Sequence, residues 1–73
     1  MTLAEIVEKE VASYRFGAPI TVYDIRVGAE ADGYDISAYS NREIAQHLVR
    51  TCDIRAGPYG EKDRRSYYRR AVA

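Results

Sequence analysis

One cysteine, one histidine, two prolines and no tryptophan are a thin supply of the residues that staple, ligate or break a small fold, and this chain has 73 residues in all. Cys52 stands alone, so no internal disulfide can form. A lone thiol suits a reducing, intracellular setting better than a secreted one. His47 has no second metal ligand at a zinc-type spacing, so no metal and no cofactor is expected. No apolar run approaches the roughly 20 residues that a bilayer span needs. Glu5, Glu8, Lys9 and Glu10 near the start would interrupt any signal core. A Gly-rich phosphate loop, a nucleophile–base arrangement and a catalytic acid pair are also missing, and "AEADGYD" fits no calcium loop. The expectation is therefore a soluble cytoplasmic domain that is not an enzyme. A chain this short buries only about 60% of its unfolded surface. Its core is small, and oligomerisation is a common support at this size.

Net charge is zero, but the two signs are unevenly placed. Residues 1–49 hold four basic and eight acidic side chains, a net −4. Residues 50–73 hold seven basic and three acidic ones, a net +4. Such a split points to a polyanion contact at the basic end, with internal pairing or a solvated tail as the plainer account.

Three segments open with a hydroxyl residue and carry an acid three positions later: "TLAE" at Thr2, "TVYD" at Thr21 and "SNRE" at Ser40. In such a box the hydroxyl accepts from the third amide and the acid reaches back to the cap amide. Asp24 makes the middle box the weaker version. After the first box, Leu3, Ile6, Val7, Val11 and Tyr14 recur at helical steps until Gly17 and Pro19, which predicts a helix over about 2–15. After the third, Ile44, Ala45, Leu48, Val49 and Cys52 form an inward stripe, a helix over about 40–52. Its opposite face carries Arg42, Glu43, Gln46, His47 and Arg50.

The middle segment reads two ways. Its cap favours a helix over about 21–31 with Val22, Ile25 and Ala29 inward. The β-branched density of Ile20, Thr21, Val22, Ile25 and Val27 favours a strand, with Asp32–Gly33 as a hairpin turn into "YDISAY". The helix is preferred. Beyond Cys52, Gly57, Pro58 and Gly60 rule out a helix locally. Two strands over about 54–70, joined by a basic loop, are expected there, with a C-terminal helix from Glu61 as the competitor.

Three helices and then a basic hairpin resemble a winged helix-turn-helix domain. "SNREIAQHLVRTCDI" is similar to recognition helices of small bacterial and archaeal repressors of the multiple-antibiotic-resistance and arsenic-responsive types. "EKDRRSYYRRA" resembles their wing. The two stretches span residues 40–71. The connection from Asp32 to Tyr39 is longer than the tight turn usual in that fold. The resemblance implies one winged-helix domain over residues 1–73, mostly α with a C-terminal hairpin. It also implies a small transcriptional regulator, of a kind common in prokaryotes and viruses, that binds double-stranded DNA as a homodimer. Tyr14 and Phe16, at the end of the first helix, are the candidate dimer surface.

The resemblance also implies the site residues. Arg42, Gln46 and Arg50 stand four apart along one outward stripe. Arginine reads guanine O6 and N7 in the major groove, and glutamine reads adenine N6 and N7. Ser40, at the helix start, is placed to meet a phosphate. Lys62, Arg64, Arg65, Arg69 and Arg70 are the expected wing contacts to the sugar-phosphate backbone, since the guanidinium fork matches phosphate oxygens. Tyr67 and Tyr68 alternate across the strand, one packing inward and the other reaching a phosphate; Tyr67 is counted with the DNA contacts. Cys52 reads as a small core residue. Two rivals stand beside this reading. One is RNA binding with the tyrosines stacking on bases. The other is a protein-docking adaptor or inhibitor with an α-β-β-α-β fold.

Overall fold

Three helices and a two-stranded antiparallel hairpin succeed one another in the computed structural model, which describes residues 1–56 and 65–70. They are α1 (Leu3–Ala12), α2 (Val22–Ala31), α3 (Asn41–Thr51), β1 (Cys52–Ala56) and β2 (Arg65–Arg69). The layout is mostly helical and winged-helix-like, and it leaves no place for the α-β-β-α-β alternative. The competing C-terminal helix from Glu61 fails at residues 65–69, where β2 pairs with β1 from Cys52↔Arg69 to Ala56↔Arg65; Glu61 itself lies outside the described residues. Lys62 and Arg64 lie outside the described residues, as does the side chain of Arg65.

Each helix starts where a hydroxyl caps it. Thr2 and Thr21 both complete the reciprocal box. At α2 the Thr21 amide donates to Asp24 at 2.9 Å and the Asp24 amide donates to the Thr21 hydroxyl at 3.1 Å. The Asp version expected to be weaker is therefore whole. The Ser40 box is the incomplete one. The Ser40 hydroxyl accepts from the Glu43 amide at 3.2 Å, but it also donates to the Glu43 carboxylate at 3.4 Å. The Glu43 carboxylate does not take up the Ser40 amide, its expected partner.

Helix ends differ from the expected ones for local reasons. α1 stops at Ala12, short of Tyr14, because the Ser13 hydroxyl donates to the Glu10 carbonyl at 2.6 Å and tightens the last turn. Asp32–Gly33 is no hairpin turn. It ends α2 in a Schellman arrangement: the Gly33 amide donates to Glu30 O and the Tyr34 amide to Ala29 O, at 3.0 and 2.9 Å. Gly33 takes φ 87°, which a side chain would resist. β1 starts two residues early, since Cys52 is at once the extended C-cap of α3 and the first strand residue.

The β-branched signal in the middle segment is real but local. Of these residues Ile20 alone forms a bridge, and it exchanges two 2.8 Å backbone hydrogen bonds with Tyr67. Tyr67 points both backbone groups at Ile20, so Ile20 lies along the edge of β2 opposite β1. The core gathers Leu3, Ile6, Val7 and Val11 of α1, Ile25 and Ala29 of α2, and Ile44 and Leu48 of α3. Ile20, Ile36, Cys52 and Tyr67 close it. Ile36 anchors the long connection between α2 and α3. Arg26 fastens the same connection, donating to Asn41 Oδ1 at 2.6 Å, to the Ile36 carbonyl at 3.3 Å and to the Tyr39 carbonyl.

One acid sits on the buried face of α1. Glu10 is 5% exposed, and its carboxyl occupies the space that Gly28 of α2 leaves open. A Cβ added at Gly28 would stand 2.3 Å from Glu10 Oε1. Burial raises the Glu10 pKa to about 7. Asp32 adds to the rise through a hydrogen bond and its charge, and Lys9 opposes it.

These contacts set the expected stability changes. Thr21→Ala removes a half-buried reciprocal box and costs about 1–2 kcal/mol. Ser40→Ala removes a single exposed contact and costs about 0.5–1 kcal/mol. Thermal melts should rank them in that order. For Glu10 the folded pKa lies above the unfolded value. Its stabilising effect is thus full below about pH 4.5 and is lost as pH rises through about 7. Glu10→Gln should be more stable than wild type above pH 7, by on the order of 2–3 kcal/mol. Urea titrations at several pH values should show the gap closing on acidification.

Candidate nucleic-acid interface

The outward face of α3 is built by its own inward stripe. Ile44 and Leu48 are fully buried, and their spacing turns Arg42, Gln46 and Arg50 into solvent. Among the described residues none of these three side chains makes a hydrogen bond or an ion pair. His47 is half-buried at the flank of the face.

Val49 belongs to this face as well, contrary to its expected inward place. It is 43% exposed. Seven residues after Arg42, it stands about 20° from it around the axis, on the side away from Gln46. The helical period holds, but the inward stripe is narrower than the spacing of apolar residues suggests. Ile44, Leu48 and Cys52 lie in the core and Ala45 packs against it, while Val49 stays outside.

The basic residues of β2 are disposed differently. Arg69 is half-buried and turned toward α1. Its Nη1 donates to the Ala12 carbonyl at 3.3 Å and to the Tyr14 carbonyl at 3.2 Å, and its guanidinium lies 4.5 Å from the Phe16 ring centroid. Arg70 turns toward α3. Its Nε donates to Asp53 Oδ1 at 3.1 Å. Its Nη1 donates to Arg50 O at 3.3 Å, and its Nη2 to Val49 O at 3.5 Å and Cys52 O at 3.4 Å. These carbonyls belong to the last turns of α1 and α3, or lie just past them, where intrahelical donors run out and the helix dipole favours a cation. Two arginines expected to lie over a phosphate backbone are thus joined to helix ends within the chain.

Tyr67 is a further correction. It is 4% exposed and part of the core, because the Ile20 bridge presses this point of β2 inward. It has no surface to offer a nucleic acid. Tyr68 is half-buried and engaged within the chain. Ser40 stays exposed at the start of α3, its hydroxyl occupied by the cap. The structure therefore brings together Arg42, Gln46 and Arg50, adds Val49, and sets Arg69 and Arg70 apart.

α1 keeps little for a second copy. Leu3, Ile6, Val7 and Val11 lie in the domain's own core, and Tyr14 packs against it. Phe16 remains 56% exposed, with Arg69 over its ring. Compared with known protein families, curated proteins and solved structures, the chain matches none.

Arg69→Ala should destabilise the protein by about 1–2 kcal/mol, through two lost carbonyl contacts and one cation–π contact. In a double-mutant cycle with Phe16→Ala, the two losses should fall short of additivity by about 0.5–1 kcal/mol. Full additivity in denaturant melts would mean that the ring and the guanidinium do not interact.

Proposed function

We propose that this domain binds double-stranded DNA in a sequence-selective manner through the outward face of α3. On this reading it serves as a small transcriptional regulator in the cytoplasm and is not an enzyme. One observation carries the reading. Arg26 of α2, Arg69 of β2 and Arg70 just after it are tied down within the fold. Arg42 and Arg50 are left without partners among the described residues, on one face with Gln46 between them. A side chain held in place by carbonyls is supporting the fold. A row of uncommitted fork and amide groups on a firmly seated helix is suited to reading a partner.

Dimensions agree with this. Arg42 and Arg50 are eight residues apart, about 12 Å along the axis, or roughly three to four base-pair steps of 3.4 Å. A helix of ordinary girth enters the major groove of B-form DNA, whereas the deep, narrow major groove of A-form RNA does not admit one. The burial of Tyr67 also removes one of the two stacking platforms that an RNA-binding reading relies on. With so few base contacts per domain, useful selectivity calls for a second half-site, so the reading includes a homodimer.

If α3 lies in the groove, the logarithm of affinity for duplex DNA falls linearly with the logarithm of salt concentration. Arg42→Ala and Gln46→Ala then relax sequence preference, each costing roughly 1–3 kcal/mol on the preferred site. Selection from a randomised duplex pool, then salt titrations of wild type and both variants, measures all of this. Affinity that is flat in salt would sink the proposal.

A further inference from the structure

Among the described residues, Arg70 is the side chain that meets the largest number of separate groups in the polar network. Its guanidinium reaches the carbonyls of Val49, Arg50 and Cys52 and the carboxylate of Asp53. It therefore joins the residue after β2 to the last turn of α3 and to the start of β1. Two of these carbonyls belong to Val49 and Arg50, whose side chains stand on the outward face of α3. The Arg50 peptide is held from behind while its guanidinium points forward, free of partners among the described residues.

We infer that Arg70 is a positioning residue rather than a phosphate contact: it clamps the hairpin to the end of α3 and thereby fixes the direction in which Arg50 meets the duplex. The inference rests on the reading of α3 as the DNA-contacting helix. The chemistry favours a clamp. A planar fork with several donors can bridge acceptors on two elements at once. A cation at a helix C-terminus also satisfies carbonyls that have no amide partner. Arg70 and Asp53 both keep 54% of their side-chain surface exposed, so a phosphate contact is sterically open to Arg70. Experiment can separate the two roles.

The test uses Arg70→Lys, Arg70→Ala and Asp53→Asn in the full chain, with duplex binding measured over a range of salt. Lysine keeps the charge and still meets a phosphate, but it cannot span the four acceptors. A clamp makes Arg70→Lys as weak as Arg70→Ala, with the salt slope of wild type. It makes Asp53→Asn weaker too, because the guanidinium loses its anchor. It also makes the loss act through Arg50. Arg70→Lys then adds almost nothing to Arg50→Ala, and both relax preference at the same base pair. A phosphate contact gives the opposite set. Arg70→Lys binds like wild type, Arg70→Ala lowers the slope by about 0.9, Asp53→Asn binds more tightly, and the losses add. That set overturns the inference. Melting of the DNA-free variants reports the clamp on its own: a lower midpoint for Arg70→Lys supports it, and an unchanged midpoint counts against it. Failure of the wild type to bind any duplex would instead overturn the reading of α3, a result the melts leave distinct.

Discussion

Two backbone hydrogen bonds between Ile20 and Tyr67 hold the fold closed. They join residues 47 positions apart, at 2.8 Å each. Without them, among the described residues, β2 would meet the helices only through side chains. With them, β2 is held between β1 and the extended residue ahead of α2, and Tyr67 is pressed into the core. The direction of β2 then decides where its last residues arrive. Arg69 reaches the end of α1 and Arg70 the end of α3. The Arg69 contact depends on this placement, whereas Arg70 is carried to the end of α3 by the strand register, which sets Arg69 opposite Cys52.

Closing helix ends with arginines changes how the charge of the chain should be understood. The basic excess of residues 50–73 looks like a single polyanion-binding surface when counted along the sequence. In three dimensions it is divided. Arg69 and Arg70 neutralise carbonyl dipoles inside the domain. Arg50 faces outward with Arg42, which comes from the acidic half of the chain. The face proposed to meet DNA is therefore assembled across the charge boundary rather than on one side of it.

How far each feature is legible in the sequence depends on the kind of signal. Capping boxes are local chemistry, and Thr2, Thr21 and Ser40 mark the three helix starts directly. The stripes of α1 and α3 come from period alone. The middle segment is harder because two signals overlap. Ile20 forms a bridge and Val22 begins a helix within three residues. Val49 departs from its expected place because period gives the direction of a face and not its width, which the neighbouring core sets. The roles of Arg69 and Arg70 are not legible at all. Their partners are mainly backbone carbonyls, and every residue carries one, so composition and spacing hold no trace of which will be met. The buried carboxyl of Glu10 is hidden for a related reason: only the fold brings Gly28 across from it.

The junction at Cys52 has a bearing on how sequences of this kind can change in length. Cys52 caps α3 and begins β1, so no linker separates the two. One residue inserted there would turn whatever precedes it by about 100° relative to the strand, or flip the strand to its other face. Either Leu48 or Cys52 would lose its place in the core. The connection from Asp32 to Ser40 is different. It is fastened at Ile36 and by Arg26, with turns between that can absorb an added residue. Drift in chain length should therefore collect ahead of α3 and be purged behind it, leaving the helix and strand as one inherited block.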